Sequence, residues 1–386
     1  MSAVSEVSGL PDSREVVVGG GVTEATAEFL HASQSPNTRR AYASDWSRFE
    51  KWCARHKVTP LPVEPVTLAN YLSEAASAIK DSGKPAYSPS TLARWVAAIN
   101  VKHREAGFLP PGQHEGVARV LAGVRRTRKV APRKAKALRL DPLRTVLDSI
   151  PIAGFPQGVK GRRDAFILLL GFAGAFRQSE IADLTVGDVV VDDHDGLHVT
   201  LRSSKTDQTG EGMVKAIPFG NDYRTCTPCA FVRWRWVLRA SHGTADTALP
   251  ESVVSPPDPA MARVMAALRK APSGKHVCRT QFTPVEGEEQ WPLFEPLSKA
   301  GRLQGRHISG EVVHRVVKER MKAAGLDARG FSGHSLRAGF VTEADAQGAS
   351  VQEVMRQTGH RNPATVEGYV RRSNPLQRNA VTKLGL

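Results

Sequence analysis

The stretch from Arg125 to Arg139 constrains this chain more than any other. Eight of its fifteen residues are basic, none is acidic, and Pro132 stands in its middle. Like charges repel and proline breaks regular pairing, so the spacing predicts an extended basic linker over residues 125–140. The chain therefore reads as two folded bodies, residues 22–124 and 141–386. Residues 1–21 are small, polar and glycine-rich, and read as a flexible tail. A length of 386 residues agrees with two or three domains.

The partner follows from charge. Lys plus Arg number 53 against 38 Asp plus Glu, a formal net charge of +15. Such an excess seeks a polyanion, either nucleic acid or an anionic membrane surface. The longest apolar run, Ala165 to Phe176, is about twelve residues, too short to span a bilayer, and reads as a buried core helix. No basic segment followed by an apolar one opens the chain, so no secretory leader and no membrane partner are expected. Four cysteines are too few for a disulfide scaffold and suit a reducing cytosolic, nucleoid-associated setting. Cys226-Thr-Pro-Cys229 has zinc-like spacing. No second Cys/Cys or His/His pair stands at a suitable distance, so it reads as a loop and the first turn of a helix, with no metal site.

The first body reads as a bundle of four or five helices. Pro36-Asn37-Thr38 opens a helix whose Tyr42, Trp46, Phe49 and Cys53 form one apolar stripe. A second helix follows Pro65, a third follows Ser88-Pro89-Ser90, and the last runs from about Glu115 to Val124. Thr38, Arg39 and Arg40 on the first helix, and Arg94 and Lys102 on the third, are candidate contacts to nucleic acid. Arg125, Arg126, Arg128, Lys129, Arg133, Lys134 and Lys136 in the linker would track a phosphate backbone and release counterions.

The second body reads as mainly helical with a small β insert at Val189–Val191, Gly196–Leu201 and Met213–Pro218. Residues 241–290 are rich in Pro, Ser and Thr and read as a surface insertion carrying one short helix, Ala260–Lys270. His276-Val-Cys-Arg279 lies inside it, with nothing organised around it.

Several residues of this body carry chemistry together. Gly333-His334-Ser-Leu-Arg337 places His334 and Arg337 three apart on one helical face, suited to an anion at a helix N-terminus. Ser350-Val-Gln-Glu353 is a capping box, Gly359 closes that helix, and Asn362-Pro363 starts the next. His360 and Tyr369 can then converge on one site. Arg177 follows the apolar run directly, with Glu180 a turn later, and Lys205 occupies the turn between two strands. Tyrosine is a weak nucleophile unless cations surround it.

In that order, Arg177, Lys205, His334-x-x-Arg337, His360 and Tyr369 resemble the active site of the tyrosine recombinase (phage integrase) family. Phe-Arg-Gln-Ser-Glu-Ile-Ala-Asp-Leu is similar to its first arginine box, Gly-His-Ser-Leu-Arg-Ala-Gly to its second, and Thr-Gly-His with Tyr369 nine residues later to its third. The likeness covers roughly residues 25–240 and 291–386, with a Cre-like N-terminal bundle. The resemblance implies a mainly α fold with a small antiparallel β-sheet. Its two domains would form a C-shaped DNA clamp, a helical SAM-like core-binding bundle plus an α+β catalytic domain. It implies that Tyr369 attacks a DNA phosphorus, Arg177 and Arg337 clamp the phosphate, Lys205 acts as general acid, and His334 relays the tyrosine proton. His360 would bond the phosphate and Glu180 would orient Arg177. Neither ATP, metal nor other cofactor is implied. The implied partner is double-stranded DNA with a short inverted-repeat site, bound by a homotetramer whose segment 370–386 packs in trans. Two alternatives stay open: a type IB topoisomerase-like relaxation activity, or a DNA-binding regulator without catalysis.

Overall fold

A computed structural model describes residues 24, 28, 29, 33–128, 135–202, 212–244, 258–270, 274–373, 381 and 384. Its contacts divide the chain into two compact units, Met1–Arg133 and Lys134–Leu386.

In the first unit, four α-helices are described: α1 (Pro36–His56), α2 (Pro65–Ser77), α3 (Pro89–Glu105) and α4 (Glu115–Arg128). Ser35 and Ser88 cap α1 and α3 by accepting the backbone N–H three residues on, and proline follows each cap. Such caps stabilise a helix by about 1 kcal/mol each. The predicted stripe is the core: Trp46, Phe49, Trp52 and Cys53 of α1 pack with Leu68, Tyr71, Leu92 and Trp95. Tyr42 lies at its edge, half-buried.

The basic linker needs correcting. Helix α4 runs through Arg128, so Arg125, Arg126 and Arg128 are helical rather than extended. The periodicity of Val117, Val120, Leu121 and Val124, all in or against the core, carries the helix into the basic run. Arg125 and Arg126 are exposed. Arg128 turns back to donate to the Tyr87 carbonyl. Lys129, Arg133 and Lys134 lie outside the described residues. Residues 136–138 belong to the second unit, where the backbone N–H groups of Lys136 and Leu138 donate to Gly330 and Ser335.

The second unit contains α5 (Leu140–Asp148), α6 (Gln157–Ala173) and α7 (Gln178–Asp183), then an antiparallel sheet of β1 (Val189–Asp192), β2 (Gly196–Leu201) and β3 (Met213–Ile217) in the order β1-β2-β3. Helices α8 (Thr227–His242), α9 (Pro259–Arg269), α10 (Gly310–Ala323), α11 (His334–Ala346), α12 (Val351–Thr358) and α13 (Pro363–Ser373) follow. Helix α6 is the predicted buried one. Phe166, Ile167, Leu168 and Leu170 are fully enclosed and pack with residues of α7, α8, α10 and the sheet.

The segment 241–290 is not a mere surface insertion. Its helix forms where expected, but Val264, Ala267 and Leu268 of α9 enter the main core. The buried Arg162 guanidinium donates to the carbonyls of Ala267 and Leu268. Glu288, also buried, accepts from both Arg235 and Arg239 of α8, and these two cations hold its carboxyl down at about 2 despite burial. A charge buried this way stabilises only when fully paired, so this segment is anchored at several points.

Candidate active site

Helix α6 ends in a tight turn, Gly174-Ala175-Phe176, before Arg177 opens α7. Ala175 has φ of 48°, a left-handed conformation that strains a side-chain-bearing residue. Two cations hold the turn in place. Lys215 Nζ donates to the Gly174 carbonyl at 2.8 Å, and Arg337 Nη1 donates to the Ala175 carbonyl at 2.7 Å. Arg177 is set by Glu180, whose carboxylate accepts from the Arg177 backbone N–H at 2.8 Å and from its guanidinium at 2.5 Å.

Lys215 is the residue that sequence reasoning missed. It pairs with Val199 across the sheet, between the Leu197–Ile217 and Leu201–Met213 pairs, and therefore points inward with them. Its side chain is buried, with Nζ 4.3 Å from the centre of the Phe176 ring. Burial pushes its ammonium down to about 7, Glu180 opposes that shift, and Arg337 and Arg177 reinforce it. The signal was available in the sequence. In Met-Val-Lys-Ala-Ile, a lysine stands in the apolar phase of a strand.

Helix α11 supplies Arg337 and His334. It lies close to its neighbours because it is built on glycines. A Cβ on Gly339 would sit 1.9 Å from the Leu138 carbonyl oxygen, and one on Gly171 of α6 would sit 2.6 Å from Leu336. Arg337 is thereby buried at the α6–α7 turn, while His334, at the first position of the helix, is exposed. Helix α12 starts at the predicted Ser350–Glu353 capping box and ends at Gly359, φ 69°. Gln357 fixes it from below, donating to Ala173 at the end of α6 and to Ala216 on β3. His360 follows immediately. The Thr358 hydroxyl donates to Val354 at 2.7 Å, so His360 Nδ1–H donates to that hydroxyl oxygen at 2.9 Å. Burial, then Arg337, Arg177 and Lys215, push the His360 ring down to about 4, with Glu180 opposing.

Arg177, Arg337, Lys215 and His360 thus share one electrostatic neighbourhood with the Glu180 carboxylate. Such a group suits an anion, because Arg177 and Arg337 are already oriented by hydrogen bonds to Glu180 and to the Ala175 carbonyl. Tyr369 lies in α13, which Val366 packs against Val341 and Val354. Its side chain is outside the described residues, as are Lys205 and most of the segment 370–386.

In the first unit the predicted nucleic-acid contacts fare unevenly. Arg40 is exposed at the start of α1 and donates to Asn37. Arg39 donates to the Gln34 carbonyl, and Thr38 bonds the capping Ser35. Arg94 is not an open cation: it makes two hydrogen bonds of 2.7 and 2.9 Å to buried Asp45. Lys102 pairs with Glu105 at 3.0 Å. Lys136, in the second unit, stands over the Phe331 ring.

The reading of Cys226 and Cys229 as a loop and first helical turn holds, but they are not without Cys or His neighbours. Both lie at the start of α8, and His276 and Cys278 are folded against them.

Residues 287–375 match the phage integrase family. The chain is 28% identical over 360 residues to an integrase/recombinase XerD homolog of Selenomonas ruminantium, covering 92% of this chain and 87% of that protein. Its fold is similar to that of the XerH site-specific recombinase bound to a palindromic difH substrate in a post-cleavage complex. There the TM-score is 0.55 at 13% identity, over 94% of this chain and 84% of that one. It is also similar to the Tn1549 transposon integrase in complex with transposon right end DNA. There the TM-score is 0.52 at 15% identity, over 94% and 98% of the two chains.

Proposed function

We propose that this chain is a site-specific DNA recombinase of the phage integrase family, using Tyr369 as its nucleophile. The observation that carries the reading is the gathering of Arg177, Arg337, His360 and Lys215 beside the Glu180 carboxylate, a concentration of positive charge suited to a phosphodiester. The proteins it is similar to, an integrase/recombinase homolog and two DNA-bound recombinases, support the same reading.

In this mechanism the Tyr369 oxygen attacks phosphorus, and the bond from phosphorus to the 5′-oxygen breaks. A 3′-phosphotyrosyl bond forms and a 5′-hydroxyl is released. The tyrosine proton passes to His334, and Lys205 protonates the leaving oxygen. Arg177 and Arg337 meet the charge that builds on the non-bridging oxygens. His360, with Nδ1–H already donating to Thr358, can donate to the phosphate from Nε2 once it gains a proton. A 5′-hydroxyl of the partner strand then attacks the phosphotyrosine, so the bond energy is conserved through a Holliday junction. A homotetramer on paired inverted-repeat sites supplies four such tyrosines.

The test is a plasmid carrying two bound sites. The wild-type chain should yield recombinant junctions, and Tyr369→Phe should bind the same DNA while yielding neither junctions nor covalent adducts. Relaxation of supercoils without junctions would favour a topoisomerase-like activity instead.

A further inference from the structure

The cluster Cys226, Cys229, His276 and Cys278 lies in the second unit, apart from the residues assigned to the phosphate. Their candidate ligand atoms all fall within 4.8 Å of one another. Each of the three thiols is buried and none forms a disulfide. Cys229 Sγ is 3.4 Å and Cys278 Sγ 3.8 Å from His276 Nδ1. A tetrahedral zinc with bonds of about 2.3 Å to sulfur and 2.0 Å to nitrogen has ligand-to-ligand edges of about 3.5–3.8 Å. The cluster already has nearly that size.

The surroundings are those of a metal site rather than of an apolar core. His276 Nε2 lies 3.3 Å from the Asn221 carbonyl, which can only accept. The ring proton is therefore on Nε2, and Nδ1 turns its lone pair to the cysteines. A carbonyl behind a ligating histidine fixes tautomer and aim in this way. Backbone N–H groups point at the sulfurs: Gly220 at Cys226, 3.4 Å, and Val277 at Cys229, 3.3 Å. Such donors favour thiolates. Gly220 is required there, since a Cβ would come 2.9 Å from Cys226 Cα.

We propose that these four residues form a structural zinc site, Cys3His, fastening segment 276–278 to the start of α8 and to the chain leaving β3. Thiolates and imidazole select zinc over magnesium or calcium. Four protein ligands leave no open position for substrate, so the metal braces the fold. It ties the segment that follows α9 to the start of α8. Arg279, next to the last ligand, extends the brace by donating to the Asp193 carbonyl at 2.7 Å in the β1–β2 turn.

The test uses the full-length chain without an affinity tag, loaded with zinc and dialysed free of excess. Elemental analysis should give one zinc per chain. The cobalt-substituted protein should show the absorption of tetrahedral, thiolate-bound cobalt. Cys226→Ser and Cys278→Ser should lose the metal, while Cys53→Ser, in the first unit, should keep it. His276 is exposed, so its variants test the site without disturbing the core. His276→Ala should weaken zinc affinity on the order of a hundredfold, and His276→Cys should restore it with an altered cobalt spectrum. In the wild-type chain, a chelator should open Cys226, Cys229 and Cys278 to alkylation, while Cys53, buried in the first unit, stays protected. No stoichiometric zinc with octahedral cobalt, a Cys226–Cys229 disulfide under reducing conditions, or undiminished affinity in His276→Ala would each overturn the proposal.

Discussion

Under the proposed function, Lys215 and His360 make phosphate binding sensitive to protons. Both are held below their ordinary values chiefly by burial and then by neighbouring cations, to about 7 and about 4. A phosphodiester brings negative charge, which favours the protonated form of each group. The bound state then holds more protons than the free state, so DNA binding tightens as pH falls. Calorimetry at neutral pH in buffers of different ionisation enthalpy should record net proton uptake. Lys215→Met should remove the part centred near pH 7 and leave the part at lower pH due to His360. Zero uptake or proton release would contradict this electrostatic picture. Side chains in the family's motifs were legible because their spacing is short and local. Lys215 was legible only as a polar residue in an apolar strand phase. The Cys and His pairs were not legible, because Cys229 and His276 stand 47 positions apart and only folding joins them.

Among the elements, α11 does most to position the site, and its close packing rests on Gly339. Gly339→Ala gains helix propensity of roughly 1 kcal/mol. The new Cβ, however, would meet the Leu138 carbonyl oxygen at 1.9 Å, and backbone does not yield as a side-chain tip does. The variant should be less stable by about 1–3 kcal/mol in urea unfolding and should displace Arg337. Unchanged stability would mean that residues 136–138 are free to move away. The elements themselves were readable from local signals. Serine caps followed by proline mark α1 and α3, the capping box and αL glycine bound α12, and strand alternation gives the sheet. The basic run failed as a boundary marker for a specific reason. Exposed arginines on one face of α4 are compatible with a helix whose other face packs on the core, and charge alone cannot distinguish that from a linker.

Across the whole molecule, the proposed function divides the net charge of +15 between groups that bind DNA and groups that act on one phosphate. Arg125 and Arg126 are exposed on α4 and belong to the first group. Replacing both with Gln should weaken binding to all DNA sequences alike and reduce the slope of log K against log salt by about 1–2. An unaltered slope would remove α4 from the DNA surface.

The central claim is chemical, and one measurement reaches it directly. A suicide substrate containing the bound site traps the covalent complex, which is digested and sequenced by mass spectrometry. The account predicts one modified peptide, with the DNA remnant joined through a 3′-phosphate to Tyr369. An adduct on any other residue, a 5′-linked remnant, or no adduct from protein that binds the site fully would contradict it.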